Sequence, residues 1–239
     1  MKRQSTKVVV IIPAAGSGTR IGGSVRKQFL PLHGRPILVH TIRQFEHCPD
    51  VDEINLAVPD AAIVEMHKLI GQYRLHKISK IVAGGARRQD SVRNVLRLLA
   101  LKDNDVVLVH DGVRPFVETK RISQLIKACK EHDAAVIAVQ PKDTIRRSTG
   151  GKFFDQTMDR SALWLIQTPQ AFRAGVLQRA FDKAAKEKFF STDEAALVER
   201  LGIKARIVEG SYDNIKITTH EDLELAELIR QRWHAKGIL

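Results

Sequence analysis

Five short runs of branched apolar residues punctuate the first part of the chain: Val8–Ile12, Ile54–Val58, Ile78–Val82, Val106–Val109 and Val136–Val139. Each is nearly continuous in hydrophobicity and bounded by turn residues, as expected of a strand covered on both faces of a parallel sheet. Between the runs, apolar residues recur with helical period. Leu38, Thr41, Ile42 and Phe45 fall at i, i+3, i+4 and i+7, as do Val92, Val95, Leu96 and Leu99, and Ile122, Leu125, Ile126 and Cys129. Each set forms one apolar stripe. Strict alternation of strand and helix leaves few topologies, and the one it predicts is α/β, a doubly wound, mostly parallel sheet. The 239 residues can bury a substantial core, and one domain over 1–239 is expected.

The alternation stops after Val139. Residues 140–172 carry a Gly-Gly pair, mixed charge and short β-prone pieces, and are expected to form an arm or hairpin inserted before the last helices. Such a protruding β-arm usually packs on something, and a second subunit is the natural candidate. Ser191 with Glu194, and Thr219 with Asp222, have capping-box spacing and predict helix starts near Asp193 and His220. Leu225, Leu228 and Ile229 are the expected apolar stripe of the last helix.

Charge narrows the function. A formal net charge of +12 calls for an anionic partner, either a small phosphorylated ligand or nucleic acid. The cations are spread along the chain rather than gathered on one helix, and aromatics are only 5%, too few for a single-strand stacking platform. A nucleic-acid-binding domain is therefore disfavoured. No apolar run approaches the ~20 residues that span a bilayer, and Val8–Ile12 is too short for a signal sequence. A cytoplasmic protein without a membrane partner is expected. Cys48 and Cys129 have no metal or redox spacing and are expected to be buried thiols.

The richest stretch is PAAGSGTRIGGSVRKQF, directly after the first strand. Ala14, Ala15, Gly16 and Gly18 would let backbone N–H groups approach a phosphate closely. In open α/β sheets, ligands bind at this end of the strands. The glycine pattern of a dinucleotide loop fails because Ile21 replaces its third glycine, and the phosphate loop of P-loop enzymes fails because Thr19 and Arg20 follow Gly18. What remains is a backbone cradle with two cations, Arg20 and Lys27, suited to a triphosphate whose α-phosphorus accepts an attacking oxygen. A plain glycine-rich connection is the alternative.

Three further groups bear on the chemistry. Gly84, Arg88 and Ser91 follow the third strand in GGARRQDSV, and could equally be an ordinary strand-to-helix turn. Asp111 ends the fourth strand in VHDGVRP, placed to hold Mg²⁺ or a hydroxyl, while Arg114 could pair with it structurally. Arg160, Thr168, Thr192–Asp193–Glu194 and Lys216 are individually unremarkable but together would suit an anionic acceptor.

The ordered pieces PAAGSGTR…KQF, GGxxRxxSV, VHDxxRP, DRxxLW…QTPQxF, TDEA and DNIKIT resemble the 2-C-methyl-D-erythritol 4-phosphate cytidylyltransferase family over residues 8–226. The resemblance implies a Rossmann-like nucleotidyltransferase fold and a Mg²⁺-dependent (or other divalent-cation-dependent) reaction of CTP with methylerythritol phosphate. It implies Arg20 and Lys27 as transition-state stabilisers, and Ala14, Ala15, Gly16 and Gly18 around the cytosine and phosphates. Gly84, Arg88 and Ser91 would contact the nucleotide, with Asp111 beside the acceptor and metal. Arg160 and Lys216, with Arg114, Thr144, Thr168 and Thr192, would place the acceptor. In such proteins the arm clasps a second subunit, which implies a homodimer whose Arg160 serves the partner's site. This chain departs from the family at Ala86, where an acidic residue is common, at Arg26, where proline is common, and at Gly112–Val113, where an Ala-Ala pair is common. The sister activity on ribitol 5-phosphate shares the nucleotide loop and differs in the acceptor pocket.

Overall fold

The computed structural model describes residues 6–16 and 26–238. The first five strands are β1 (Val8–Pro13), the short pair β2 (Pro31–Leu32) and β3 (Arg35–Pro36), β4 (Glu53–Val58) and β5 (Ile78–Ala83). They are followed by β6 (Val106–Val109), β7 (Ala134–Val139), the pair β8 (Arg146–Arg147) and β9 (Gln156–Thr157), β10 (Leu165–Arg173) and β11 (Arg206–Glu209). Seven strands form one sheet in the order β11-β7-β10-β6-β1-β4-β5. β1 runs parallel to both β4 and β6, β5 parallel to β4, and β11 parallel to β7. β10 alone lies antiparallel, wedged between β6 and β7.

Helices cover both faces, and the strand pleat decides which residues meet them. Val8, Val10 and Ile12 face α1 (Ile37–Glu46), α2 (Ile63–Tyr73) and α4 (Thr119–His132). Val9 and Ile11 face α3 (Arg88–Leu96), α5 (Ala174–Lys186) and α6 (Ala195–Glu199). That is why β1 must be apolar at every position. α7 (His220–Ala235) closes a third cluster with Leu32, Ile37, Phe116 and Ile217, capped by an edge-on contact of Phe116 with Trp233. The doubly wound reading of the five strand runs and three stripes holds, with one adjustment: α3 stops at Leu96, so Leu99 is buried beyond the helix end.

Three expectations are corrected. The excursion after Val139 is shorter than 140–172, because Leu165–Arg173 is a strand of the central sheet and only residues 140–164, with the β8–β9 hairpin at their centre, stand outside it. Six consecutive residues of β10, Gln167 to Phe172, are buried, which a surface arm would not allow. Thr219 and Asp222 do form a capping box, whereas Glu194 is drawn away from the cap and its helix begins at Ala195. The buried stripe of α7 is Ala226, Ile229 and Trp233; Leu225 and Leu228 face solvent. Both cysteines are buried free thiols. No helix of the described residues is long and apolar enough to cross a membrane.

Candidate active site

β1 has neighbours on both sides that continue in opposite directions through the sheet, so its carboxyl end is the topological switch point. Open α/β sheets leave a crevice there. A cavity of about 320 Å³ occupies it, lined by Ala14, Ala15 and Gly16 after β1, by Lys27 and Gln28, by Gly85 to Arg88 and Ser91, by Asp111 to Val113, and by Lys216.

The turn after β1 is held from below. Gln28, almost fully buried, donates from its amide to the carbonyl of Ala14 at 2.6 Å and to that of Gly16 at 3.3 Å. Those bonds fix the carbonyls inward. Lys27 sits on the same 3-10 turn, Lys27–Phe29, and lines the cavity. Gly18 and Arg20 lie outside the described residues.

The second glycine pair is required by packing. A Cβ on Gly84 would lie 2.1 Å from the Ala15 Cβ, and one on Gly85 would lie 2.4 Å from the Asp90 Cβ. The two loops therefore touch through backbone and methyl groups. Ser91 ties the second loop by accepting the Gly85 N–H at 3.0 Å and donating to the Arg87 carbonyl at 3.1 Å. The Gly84 N–H is spent on the Val58 carbonyl, and Gly84 lies behind Gly85 rather than in the cavity lining. Gly112 is less crowded but still tight, its missing Cβ 3.1 Å from both the Ala14 Cβ and the Leu38 Cδ1.

Asp111 is the electrostatic centre. One carboxylate oxygen accepts from Arg88 Nε at 2.9 Å; the other faces Lys216 Nζ at 2.9 Å and Arg114 Nε at 3.6 Å. Burial by itself would raise its pKa, but Arg88, Lys216 and Arg114 together hold it far below the usual carboxylate range. Arg88 Nη1 also donates between the two oxygens of Glu194, at 2.7 and 2.8 Å. Burial works against the Arg88 charge, but Glu194 and Asp111 outweigh it and keep Arg88 above its ordinary value. Its Nη2 is buried without a hydrogen-bond partner among the described residues, a donor in reserve.

A relay of neutral groups aims Asp111. Its N–H donates to Thr168 Oγ1 at 3.0 Å, and that hydroxyl meets His110 Nδ1 at 3.1 Å. His110 Nε2 is 3.0 Å from the Arg114 carbonyl, which can only accept, so the proton sits on Nε2 and Nδ1 accepts from Thr168. An imidazolium has no place in that chain. Burial lowers the His110 pKa to about 4, against the pull of the Arg114 carbonyl. Asn214 donates to the Thr168 carbonyl at 2.9 Å and to Gln167 at 3.1 Å, and Arg114 Nη1 donates to the Asn214 carbonyl at 2.8 Å. The irregular register of β10 between Ile166 and Gln170 presents this segment to the site.

The structure thus brings together Ala14, Ala15, Gly16, Lys27, Arg88, Ser91, Asp111 and Lys216 on one cleft. Arg114 and Thr168 stand behind Asp111, with Thr168 buried. Arg160, Thr144 and Thr192 are exposed and do not line the cleft; Arg160 donates to the Lys142 carbonyl at 2.7 Å. Gln28, His110 and Asn214 are working residues that sequence reasoning left without roles, and Glu194 is one that it read as a helix cap and part of an acceptor set rather than as the partner of Arg88. All four sit inside the quoted motifs, so position alone could have flagged them.

Asp111 as a ready metal ligand does not match this donor set. Both of its oxygens face cations, and an entering ion would have to displace Lys216. No cluster of three or more His, Cys, Asp or Glu side chains suited to a metal occurs among the described residues.

Comparison with known proteins agrees with this architecture. The profile of the family described as 2-C-methyl-D-erythritol 4-phosphate cytidylyltransferase matches residues 8–232. A protein of that description from Syntrophus aciditrophicus (strain SB) is 47% identical over 222 residues, covering 92% of this chain and 94% of its own. The crystal structure of 4-diphosphocytidyl-2C-methyl-D-erythritol synthase from Anaerococcus prevotii superposes with a TM-score of 0.83 at 31% identity, over 95% of this chain and 96% of that one. The 2-C-methyl-D-erythritol 4-phosphate cytidylyltransferase of Thermus thermophilus gives 0.77 at 33% identity, over 94% and 100%.

Proposed function

The chain belongs to the 2-C-methyl-D-erythritol 4-phosphate cytidylyltransferase family, and we infer from that membership and its cleft that it transfers CMP from CTP to methylerythritol phosphate. The products are 4-diphosphocytidyl-2-C-methyl-D-erythritol and pyrophosphate, in the non-mevalonate route to isoprenoids. The observation that carries the reading is the junction of a small-residue turn with the Arg88–Asp111–Lys216 cluster in one crevice.

The acceptor phosphate oxygen attacks the α-phosphorus of CTP in line, and pyrophosphate leaves from the opposite side. No protein nucleophile is needed, so catalysis rests on positioning and on preorganised charge. The turn formed by Ala14, Ala15 and Gly16 cradles the triphosphate, with Gly18 completing it. Lys27 and Arg20 stabilise the charge that accumulates at the α-phosphoryl group. Arg88, which lines the cleft, contacts the nucleotide, and Ser91 supports the loop beneath it. A backbone carbonyl of the Gly84–Gly85 loop suits the cytosine amino group, a hydrogen-bond donor. Lys216 has N–H donors beyond its bond to Asp111, and they face the acceptor phosphate. Arg114 and Thr168 fix Asp111; Thr144, Thr192 and Arg160 complete the acceptor pocket across a dimer. Divalent metal arrives on the CTP phosphates as part of the substrate, since Mg²⁺ is commonly held through phosphates and water. We place the protein in the cytoplasm, as a homodimer clasped through the β8–β9 arm.

The test is divalent-dependent pyrophosphate release from CTP with purified protein, comparing methylerythritol phosphate with ribitol 5-phosphate. Turnover with the first alone is expected. Turnover with the second alone would keep the cleft chemistry and replace the acceptor. No turnover with either, in folded protein that binds CTP, would overturn the reading.

A further inference from the structure

A second cavity, about 520 Å³, lies between α1, α7 and the start of α4, and shares no lining residue with the cleft. Four permanent cations line it: Arg35, Arg43, Lys120 and Arg230. The only carboxylate among its lining residues, Glu118, faces Arg121 at 3.6 Å. Surface cations are normally scattered and solvated, but these converge on a concavity. The crowding is costly: the Arg43 pKa is lowered first by burial and then by Arg35, and the His40 pKa falls to about 4 through burial, with Arg230, Arg35 and Arg43 adding to the fall.

One polar group is unused: Arg230 Nε is buried with no partner among the described residues. Gln44, 6% exposed, also lines the cavity. Buried polar groups ordinarily have partners. In addition, no side chain caps the start of α4 at Thr119, which leaves the positive end of that helix open beside Lys120. Guanidinium groups and a helix N-terminus match the oxygens of one kind of ligand.

We propose that this cavity is a second binding site for a small phosphate-bearing anion, of the charge of a diphosphate. The convergence of Arg35, Arg43 and Arg230 on one concavity, with Arg230 Nε unpartnered, assigns the ligand class. The enclosed shape fits a small molecule rather than a polynucleotide, which would need an extended track. The site does not depend on which alditol phosphate the cleft accepts.

The test uses inorganic pyrophosphate as the probe, by calorimetric titration of the full-length protein. Wild type should bind two equivalents, one in the cleft and one here. The double variant Arg43→Gln/Arg230→Gln should bind one, with nucleotidyl transfer retained. If that variant does not fold, Lys120→Gln at the exposed rim should weaken the second event by about tenfold and spare the first. A single equivalent in wild type, or two unchanged equivalents in the variants, would overturn the proposal. So would a polynucleotide that binds this face while pyrophosphate does not.

Discussion

The buried hub at Asp111 and the hairpin arm carry residues expected to serve the same acceptor, yet they are built in opposite ways. Both carboxylate oxygens and the backbone N–H of Asp111 have partners, and Thr168, His110 and Glu194 are buried. On the arm, β8 and β9 pair through two residues each, Phe153 and Phe154 face solvent, and Arg160 and Thr144 are exposed. The hub is preorganised within one chain, so its geometry is a property of the monomer's core. The arm has no comparable core beneath it, and its geometry depends on what it packs against. Charge placed on a rigid, low-dielectric network acts strongly on a transition state; charge on a solvated hairpin acts weakly until something desolvates it.

That contrast can be broken at the hub first. Glu194→Ala removes a buried partner of Arg88 and should cost about 3–5 kcal/mol in denaturant unfolding, as loss of one half of a buried pair generally does. A cost below about 1 kcal/mol would show that Asp111 alone satisfies Arg88. Next comes Lys27→Ala, which should lower kcat by about 10²–10³, roughly 3–4 kcal/mol of barrier, while leaving the melting temperature near that of wild type. Full activity would remove Lys27 from the reaction.

Acid should loosen the buried core, the hub included, before the arm. His110 and His40 titrate near 4 in the folded chain, below the ordinary value of 6.5. The unfolded chain therefore binds more protons between those limits, so stability rises with pH there and is lost as pH falls from about 6.5 towards 4. Each histidine contributes up to about 1.4 kcal/mol per pH unit. Flat unfolding free energies across that window would contradict the buried neutral imidazoles. The smallest effect belongs to the arm. Arg160→Ala should change monomer stability by less than about 0.5 kcal/mol while raising KM for the acceptor and sparing CTP. Mixed dimers of Arg160→Ala with Lys27→Ala subunits should regain activity if sites are shared. Absence of rescue in demonstrated heterodimers would return Arg160 to its own chain.

The same division separates what sequence reading reaches from what it misses. The five Val/Ile runs are legible because a strand buried on both faces tolerates nothing else. The stripes of α1 and α4 are legible for the same reason at helical period. Glu194 misleads because its spacing from Ser191 satisfies a local capping rule, while a guanidinium 106 positions away in sequence offers the buried carboxylate much more. β10 reads as part of an arm because its antiparallel entry between two parallel neighbours leaves no periodic mark in QTPQAF. Thr168 reads as a substrate ligand; its hydroxyl is spent on Asp111 and His110.

The sequence by itself determined the layered α/β plan, the glycine-bearing turns at the strand ends and the excess of cations. These follow from short-range rules: pleat, helical period and the small residues a close backbone approach demands. Only the tertiary structure decided that Arg88, Arg114 and Lys216 converge on one carboxylate and that His110 stays neutral. It also decided that Arg35, Arg43 and Arg230 surround a separate cavity. Those outcomes depend on which distant side chains share a desolvated volume, and the energy of a charge is set by that volume rather than by its neighbours in the chain.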